Sequence, residues 1–151
     1  MAAMWRTDAW AGLVSGAVCP ICLRGEPTDV LLDLGVGWVT ASPDAPLPGY
    51  VALVARRHVV EPFELEAAEG HALWDALAQV ARGLQAAAGA IKLNYEIHGN
   101  TIPHLHVHVF PRFPGDPYEG RPIDPSTFSF HRSAGDLARM RAAIIAAGPL
   151  R

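Results

Sequence analysis

The chain has 151 residues, half of them hydrophobic and 18% charged, with a formal net charge of −3. That size and balance suit one globular domain with a real core, and the single lysine, Lys92, argues against a surface that coats nucleic acid. No apolar run approaches the roughly 20 residues that span a membrane, Met1-Ala2-Ala3-Met4-Trp5-Arg6 lacks the pattern of a secretory signal, and two cysteines make no disulfide framework, so a cytoplasmic protein is expected.

In chain order, Thr7-Asp8 reads as the cap of a short helix carrying Trp10, Leu13 and Val14 on one side and stopped by Gly16. Cys19-Pro20-Ile21-Cys22 follows. Val30 to Leu34 and Trp38 to Ser42 are apolar enough for two strands, parted by Gly35 and Gly37. Ser42 to Gly49 holds three prolines and is expected to be a loop. Tyr50 to Ala55 reads as a buried strand closed by Arg56-Arg57-His58. From about Phe63 to Ala88, Leu73, Leu77, Val80 and Leu84 recur at helical spacing, with Gly89 as the stop and Gly70 and Gly83 as weak points.

Ile91 to His98 alternates: Ile91, Leu93, Tyr95 and Ile97 face one way, Lys92, Asn94, Glu96 and His98 the other. Gly99 to Pro103 fits a five-residue hairpin connection. The next stretch alternates again, with His104, His106 and His108 between Leu105, Val107 and Val109. A strand puts these imidazoles in one row with the aliphatics behind them, whereas a helix would splay the histidines by roughly 200° per two-residue step. From Arg112 to Phe130, proline, glycine and aspartate predict an irregular surface segment. Ser133…Asp136 resembles a capping box that opens a helix with Leu137, Met140 and Ile144 on one face, ended by Gly148-Pro149. The sum is an α+β fold: an antiparallel sheet of about five strands, one long helix laid on it, and a C-terminal helix.

A row of imidazoles has three readings. It is a solvated strand face, a metal face, or a nucleophile and its helper, since neutral imidazole is available near its ordinary pKa of about 6.5. For Nε2 to attack a phosphate ester or anhydride, Nδ1 must carry the proton and donate it to an acceptor, and a backbone carbonyl on the same strand would serve. Cys19 and Cys22 form a C-x₂-C knuckle that suits zinc, a redox pair or two buried thiols.

His104-Leu105-His106-Val107-His108-Val109-Phe110 resembles the His-φ-His-φ-His-φ-φ signature (φ apolar) of the histidine triad, or HIT, superfamily of nucleotide hydrolases and transferases. The likeness extends from about Cys19 to Arg112 and takes in Asn94-Tyr95, Gly99-Asn100 and Pro111-Arg112, leaving 113–151 as an extension of a single domain over 1–151. It implies that His106 is the nucleophile of a covalent nucleotidyl-histidine intermediate, and that His108 holds or protonates oxygens at the scissile phosphate. It further implies phosphate contacts from Thr101 and Asn94, while the Gly99-Asn100 turn either presents backbone N–H groups to phosphate or is structural alone. In zinc-bearing members the ligands fall on Cys19, Cys22, His58 and His104, a structural Zn²⁺ site. The family usually forms homodimers. Many members set an acidic residue on the ribose, and counting back from His58 this chain offers Ser42, with Asp44 two residues on.

The expected activity is cleavage at the α-phosphate of a nucleoside phosphoramidate or dinucleoside polyphosphate by a HIT-type nucleotidyl hydrolase or transferase. The competing reading is a non-catalytic nucleotide-binding or metal-sensing module acting through a partner. Trp38 reads as core, His71 and His131 as surface or capping residues, and His98 as a surface residue near the site.

Overall fold

The computed structural model describes residues 4–124, 126–127 and 129–150. A single 3₁₀ turn, Met4–Arg6, leads into helix α1 (Asp8–Val14), whose first turn is capped by the Thr7 hydroxyl accepting from the Trp10 amide. The cysteine knuckle opens a five-residue helix, α2 (Pro20–Arg24), with Pro20 in its first turn and Gly25 at its end. Strands β1 (Val30–Asp33), β2 (Gly37–Thr40), β4 (Val51–Ala55), β5 (Lys92–Glu96) and β6 (His106–Arg112) form one antiparallel sheet in the order β1-β2-β4-β6-β5. The loop expected at Ser42 to Gly49 contains a two-residue strand, β3 (Asp44–Ala45), which pairs with β7 (Phe130–His131) in a small second sheet.

The long helix α3 (Ala67–Ala88) begins later than the periodicity predicts. Pro62–Glu64 forms a separate 3₁₀ turn, and the Glu64 and Glu69 carboxylates accept from the Glu61 and Glu66 amides at the two starts. Leu73, Leu77, Val80 and Leu84 on α3 pack on Val39, Leu53, Leu105, Val107 and Val109 of the sheet side. Helix α4 (Ala134–Ala147) starts at the Ser133–Asp136 capping box and buries Met140 and Ile144 in the same core. Gly83, read in sequence as a weak point of α3, lies directly against the α4 backbone: a Cβ there would be 2.5 Å from the Ile144 Cα. It is a contact that only glycine permits.

The opposite sheet face carries rows of paired residues. Trp38, Val54 and His106 form one row, and Thr40, Ala52, His108 and Glu96 the next. Beyond them Phe110 packs with Leu47, Tyr118 and Ile123, and Tyr50 lies against this cluster. The segment after Arg112 is irregular, as expected, but it is not all surface. Tyr118 and Ile123 are buried, and the bidentate Arg112–Asp116 pair, 2.7 and 2.9 Å, anchors it. Among the described residues no helix is long and apolar enough to cross a membrane.

Candidate functional site

Strand β6 begins at His106, so the three histidines do not form one row. The connection from β5 to β6 spans 97–105 instead of the five residues expected. The physical reason lies at Leu105, whose carbonyl still accepts from the Ala55 amide in register with β4 but whose amide donates to Val59 O, while Ala55 O accepts from His104 Nε2. These bonds hold His104 outside the strand and turn its ring toward the cysteines.

There Cys19, Cys22, His58 and His104 converge, with their ligand atoms all within 4.8 Å of one another. The two Nδ1 atoms are 3.2 Å apart, Cys22 Sγ lies 3.3 Å from His58 Nδ1, and the two sulfurs lie 3.6 and 3.8 Å from His104 Nδ1. Zinc bonds of about 2.0–2.1 Å to nitrogen and 2.3 Å to sulfur require edges of roughly 3.4 Å between nitrogens and 3.6 Å from nitrogen to sulfur in a tetrahedron. The four side chains fit. Each imidazole also donates Nε2–H to a carbonyl, His58 to Val14 O at 2.9 Å and His104 to Ala55 O at 2.8 Å, which leaves both Nδ1 lone pairs on the common point. Burial, and then the neighbouring Cys19, push the Cys22 thiol up, so thiolates here call for a cation. The cluster has four protein donors, the complement of a closed structural site, and could hold a metal ion that joins α2, the end of β4 and the start of β6.

Two residues further on, the imidazole geometry inverts. His106 Nδ1 donates to the His104 carbonyl at 2.7 Å, leaving Nε2 with its lone pair. His108 lies beside it, rings 4.8 Å apart and near perpendicular. His108 is buried, and desolvation, then His106 and His98, push its pKa down to about 3, so it is neutral at physiological pH. Its Nδ1 is 2.7 Å from the Tyr50 hydroxyl, whose own pKa burial pushes up to about 12.

A cavity of about 420 Å³ gathers His106, His108, Gly99, Asn100 and Thr101 with Tyr50, His98, Asp124 and Ser126. Gly99 adopts a left-handed backbone at φ 66°, which turns the loop toward the cavity. Trp5 donates its indole N–H to Asn100 O at 3.3 Å, so the N-terminal turn braces this loop. Asn94 is not brought in. It lies opposite Phe110, accepts from Lys92 Nζ at 2.7 Å and lines a neighbouring opening with Glu96, His98 and Arg121. Ser42 and Asp44 stand apart too: Arg132 donates to the Ser42 carbonyl, and His131 pairs with Asp44 at 2.8 Å. His98 is exposed, as expected, and borders the cavity 2.9 Å from Glu96. Trp38 is buried, with the Arg56 guanidinium 4.0 Å over its ring, and His71 is exposed.

Sequence reasoning missed Tyr50, Asp124 and Ser126. Tyr50 reaches His108 through the β4–β6 register, diagonal to the Ala52–His108 pair, and only a correct strand pairing would have signalled it. Asp124 and Ser126 arrive on the irregular segment, where no periodicity exists to follow.

The HIT domain family matches residues 27–115. A curated relative, the bifunctional bis(5'-adenosyl)-triphosphatase/adenylylsulfatase FHIT of Arabidopsis thaliana, is 29% identical over 96 residues, covering 60% of this chain; the chain spans about half, 53%, of that relative's length. Among solved structures, a histidine triad protein from Sinorhizobium meliloti is similar at 30% identity and a TM-score of 0.69, over 78% of this chain and 87% of that one. A zinc-bound histidine triad family protein from Mycobacterium smegmatis shares the fold at 18% identity and a TM-score of 0.61, over 86% of this chain and 93% of that one.

Proposed function

Because this chain belongs to the HIT domain family, we propose that it is a nucleotide hydrolase that cleaves at an α-phosphate through a covalent nucleotidyl-His106 intermediate. The observation that carries the reading is the His106 Nδ1 bond to the His104 carbonyl, which makes Nε2 the nucleophile. Nε2 attacks phosphorus, the leaving group takes the bond's electron pair, and His108 hydrogen-bonds the departing oxygen. Water then cleaves the N–P bond and frees the nucleoside monophosphate; an alcohol or phosphate in its place would make the enzyme a transferase. The Gly99–Thr101 loop supplies backbone N–H groups and a hydroxyl to phosphate oxygens. The substrate classes are dinucleoside polyphosphates, as in the name of the Arabidopsis relative, and nucleoside phosphoramidates. Zn²⁺ on Cys19, Cys22, His58 and His104 would serve structure alone, by fixing the main chain that holds the His104 carbonyl.

The same reading treats the chain as one domain, with the segment after Arg112 closing the cavity, and as a homodimer. Strand β5 is a sheet edge flanked by exposed Tyr95, Ile97 and Trp74, which a second copy would cover. Sedimentation at micromolar concentration should then give twice the 16.2 kDa chain mass, and a monomer would refute the pairing.

The deciding experiment is intact-protein mass spectrometry after brief mixing with a panel of adenylated and guanylated compounds. An adduct of one nucleoside monophosphate, absent in His106→Ala, is expected, with turnover in that variant reduced by about 10⁴-fold or more and nucleotide binding little changed. Undiminished turnover in His106→Ala refutes the nucleophile. Binding with neither adduct nor turnover in the native chain leaves the non-catalytic module as the function.

A further inference from the structure

Tyr50, Phe110 and His108 form three near-parallel rings. Tyr50 lies 4.6 Å from Phe110 and 5.8 Å from His108, with interplanar angles of 13° and 18°. The stack holds the Tyr50 hydroxyl 2.7 Å from His108 Nδ1. Behind it, Arg132 is 2% exposed and donates to the backbone carbonyls of Tyr50 and Ser42, so the chain after the histidine strand fixes where Tyr50 stands.

Between a phenol and a neutral imidazole the phenol is the stronger acid and the imidazole nitrogen the stronger base, so the phenol donates. Nδ1 of His108 is then an acceptor, and the one ring proton of the neutral imidazole sits on Nε2. We propose that Tyr50 is a positioning residue that fixes His108 as an Nε2–H hydrogen-bond donor, and thereby suits the site to leaving groups that depart as anions.

The inference rests on His106 as the nucleophile. When a phosphoanhydride or a mixed sulfate anhydride is cleaved, the His106 N–P bond forms, the P–O bond breaks, and the leaving oxygen keeps the electron pair. Phosphate, nucleotide and sulfate are stable in that form. A fixed N–H aimed at the oxygen strengthens its hydrogen bond as charge develops, and no proton moves. A phosphoramidate differs, because its nitrogen must gain a proton as the P–N bond breaks. His108 can give up its Nε2 proton only by taking the Tyr50 proton at Nδ1, leaving a tyrosinate. Burial sets the Tyr50 pKa at about 12, so that route is steep. An amine leaves slowly from this site unless it arrives already protonated.

Two measurements decide the matter. Nitrogen-15 NMR of the histidine rings in the native protein should show His108 protonated at Nε2 and bare at Nδ1, with that preference lost in Tyr50→Phe, which keeps the ring stack and removes only the hydroxyl. A proton on Nδ1 in the native protein overturns the proposal whatever the kinetics show. The second measurement compares one nucleotide joined through a phosphoanhydride with the same nucleotide joined to an alkylamine. Tyr50→Phe should lower kcat on the anhydride by about tenfold with little change in KM, and lower it less on the amine. Equal losses on both substrates would mean that Tyr50 only props the fold, and no loss on the anhydride would remove it from the reaction. If neither substrate labels His106 in the native protein, the nucleophile reading fails, and the NMR result still judges Tyr50.

Discussion

His104 and His106 stand two residues apart and present opposite nitrogens. At His104, as at its neighbour His58, Nε2 donates to a main-chain carbonyl and Nδ1 faces the cysteines. At His106, Nδ1 donates to a main-chain carbonyl and Nε2 is left bare. The side chains are identical, so the difference is made by where the nearest carbonyl lies. Ala55 O sits on the far side of the His104 ring, and His104 O sits next to the His106 ring. A carbonyl can only accept, so it assigns the proton to the nitrogen it meets and leaves the other as ligand or nucleophile. The two sets also share a part, because the His104 main chain that orients His106 belongs to the residue that faces the cysteines.

Removing the metal end tests that sharing most severely. A Cys19→Ser/Cys22→Ser double variant should lose about one zinc per chain, read by elemental analysis, with stability lowered by roughly 3 kcal/mol or more. Adduct formation at His106 should slow while remaining detectable, since the His104 carbonyl is still held through Leu105, Val59 and Ala55. A native protein that carries no zinc and is no less stable after the double substitution refutes the metal reading. Abolished labelling in a folded variant would show that the carbonyl depends wholly on the cluster.

Much of this was legible in the chain, and the limits follow from distance. Alternation from Leu105 to Val109 gave the core face, and Leu73, Leu77, Val80 and Leu84 gave the helix that covers it, because each pattern repeats within a few residues. The Ser133–Asp136 box was equally local. The four metal-facing residues came from a resemblance, and the structure brings them together. What failed was long-range. His104 belongs to the alternating pattern but leaves the strand where the Leu105 amide bonds Val59 O and the His104 ring takes the Ala55 carbonyl, contacts that no local rule announces. Asn94 pairs with Phe110 and lines the neighbouring opening with Glu96 and His98, a placement that depends on the β5–β6 register. Tyr50 needed the strand pairing, and Asp124 and Ser126 needed the path of an irregular segment.

The smallest effect should come from the glycines of α3, which touch neither set of imidazoles. Gly70 has open space where a Cβ would go, so Gly70→Ala should add about 0.5–1 kcal/mol of stability by restricting the unfolded chain and favouring helix. Gly83→Ala gains the same propensity, but its Cβ would sit 2.5 Å from Ile144 Cα and 2.7 Å from Ile144 N, main-chain atoms that cannot rotate away. Overpacking of that kind costs about 1–3 kcal/mol, so the net change should be a loss of about 1 kcal/mol, read by denaturant unfolding. Zinc content and His106 labelling should be unchanged in both variants, because the bonds that hold His104 and Leu105 run to Ala55 and Val59 and none runs to α4. A Gly83→Ala protein that kept its stability but lost labelling would tie the nucleophile to the helix layer, and the carbonyl rule would then be only half of what orients His106.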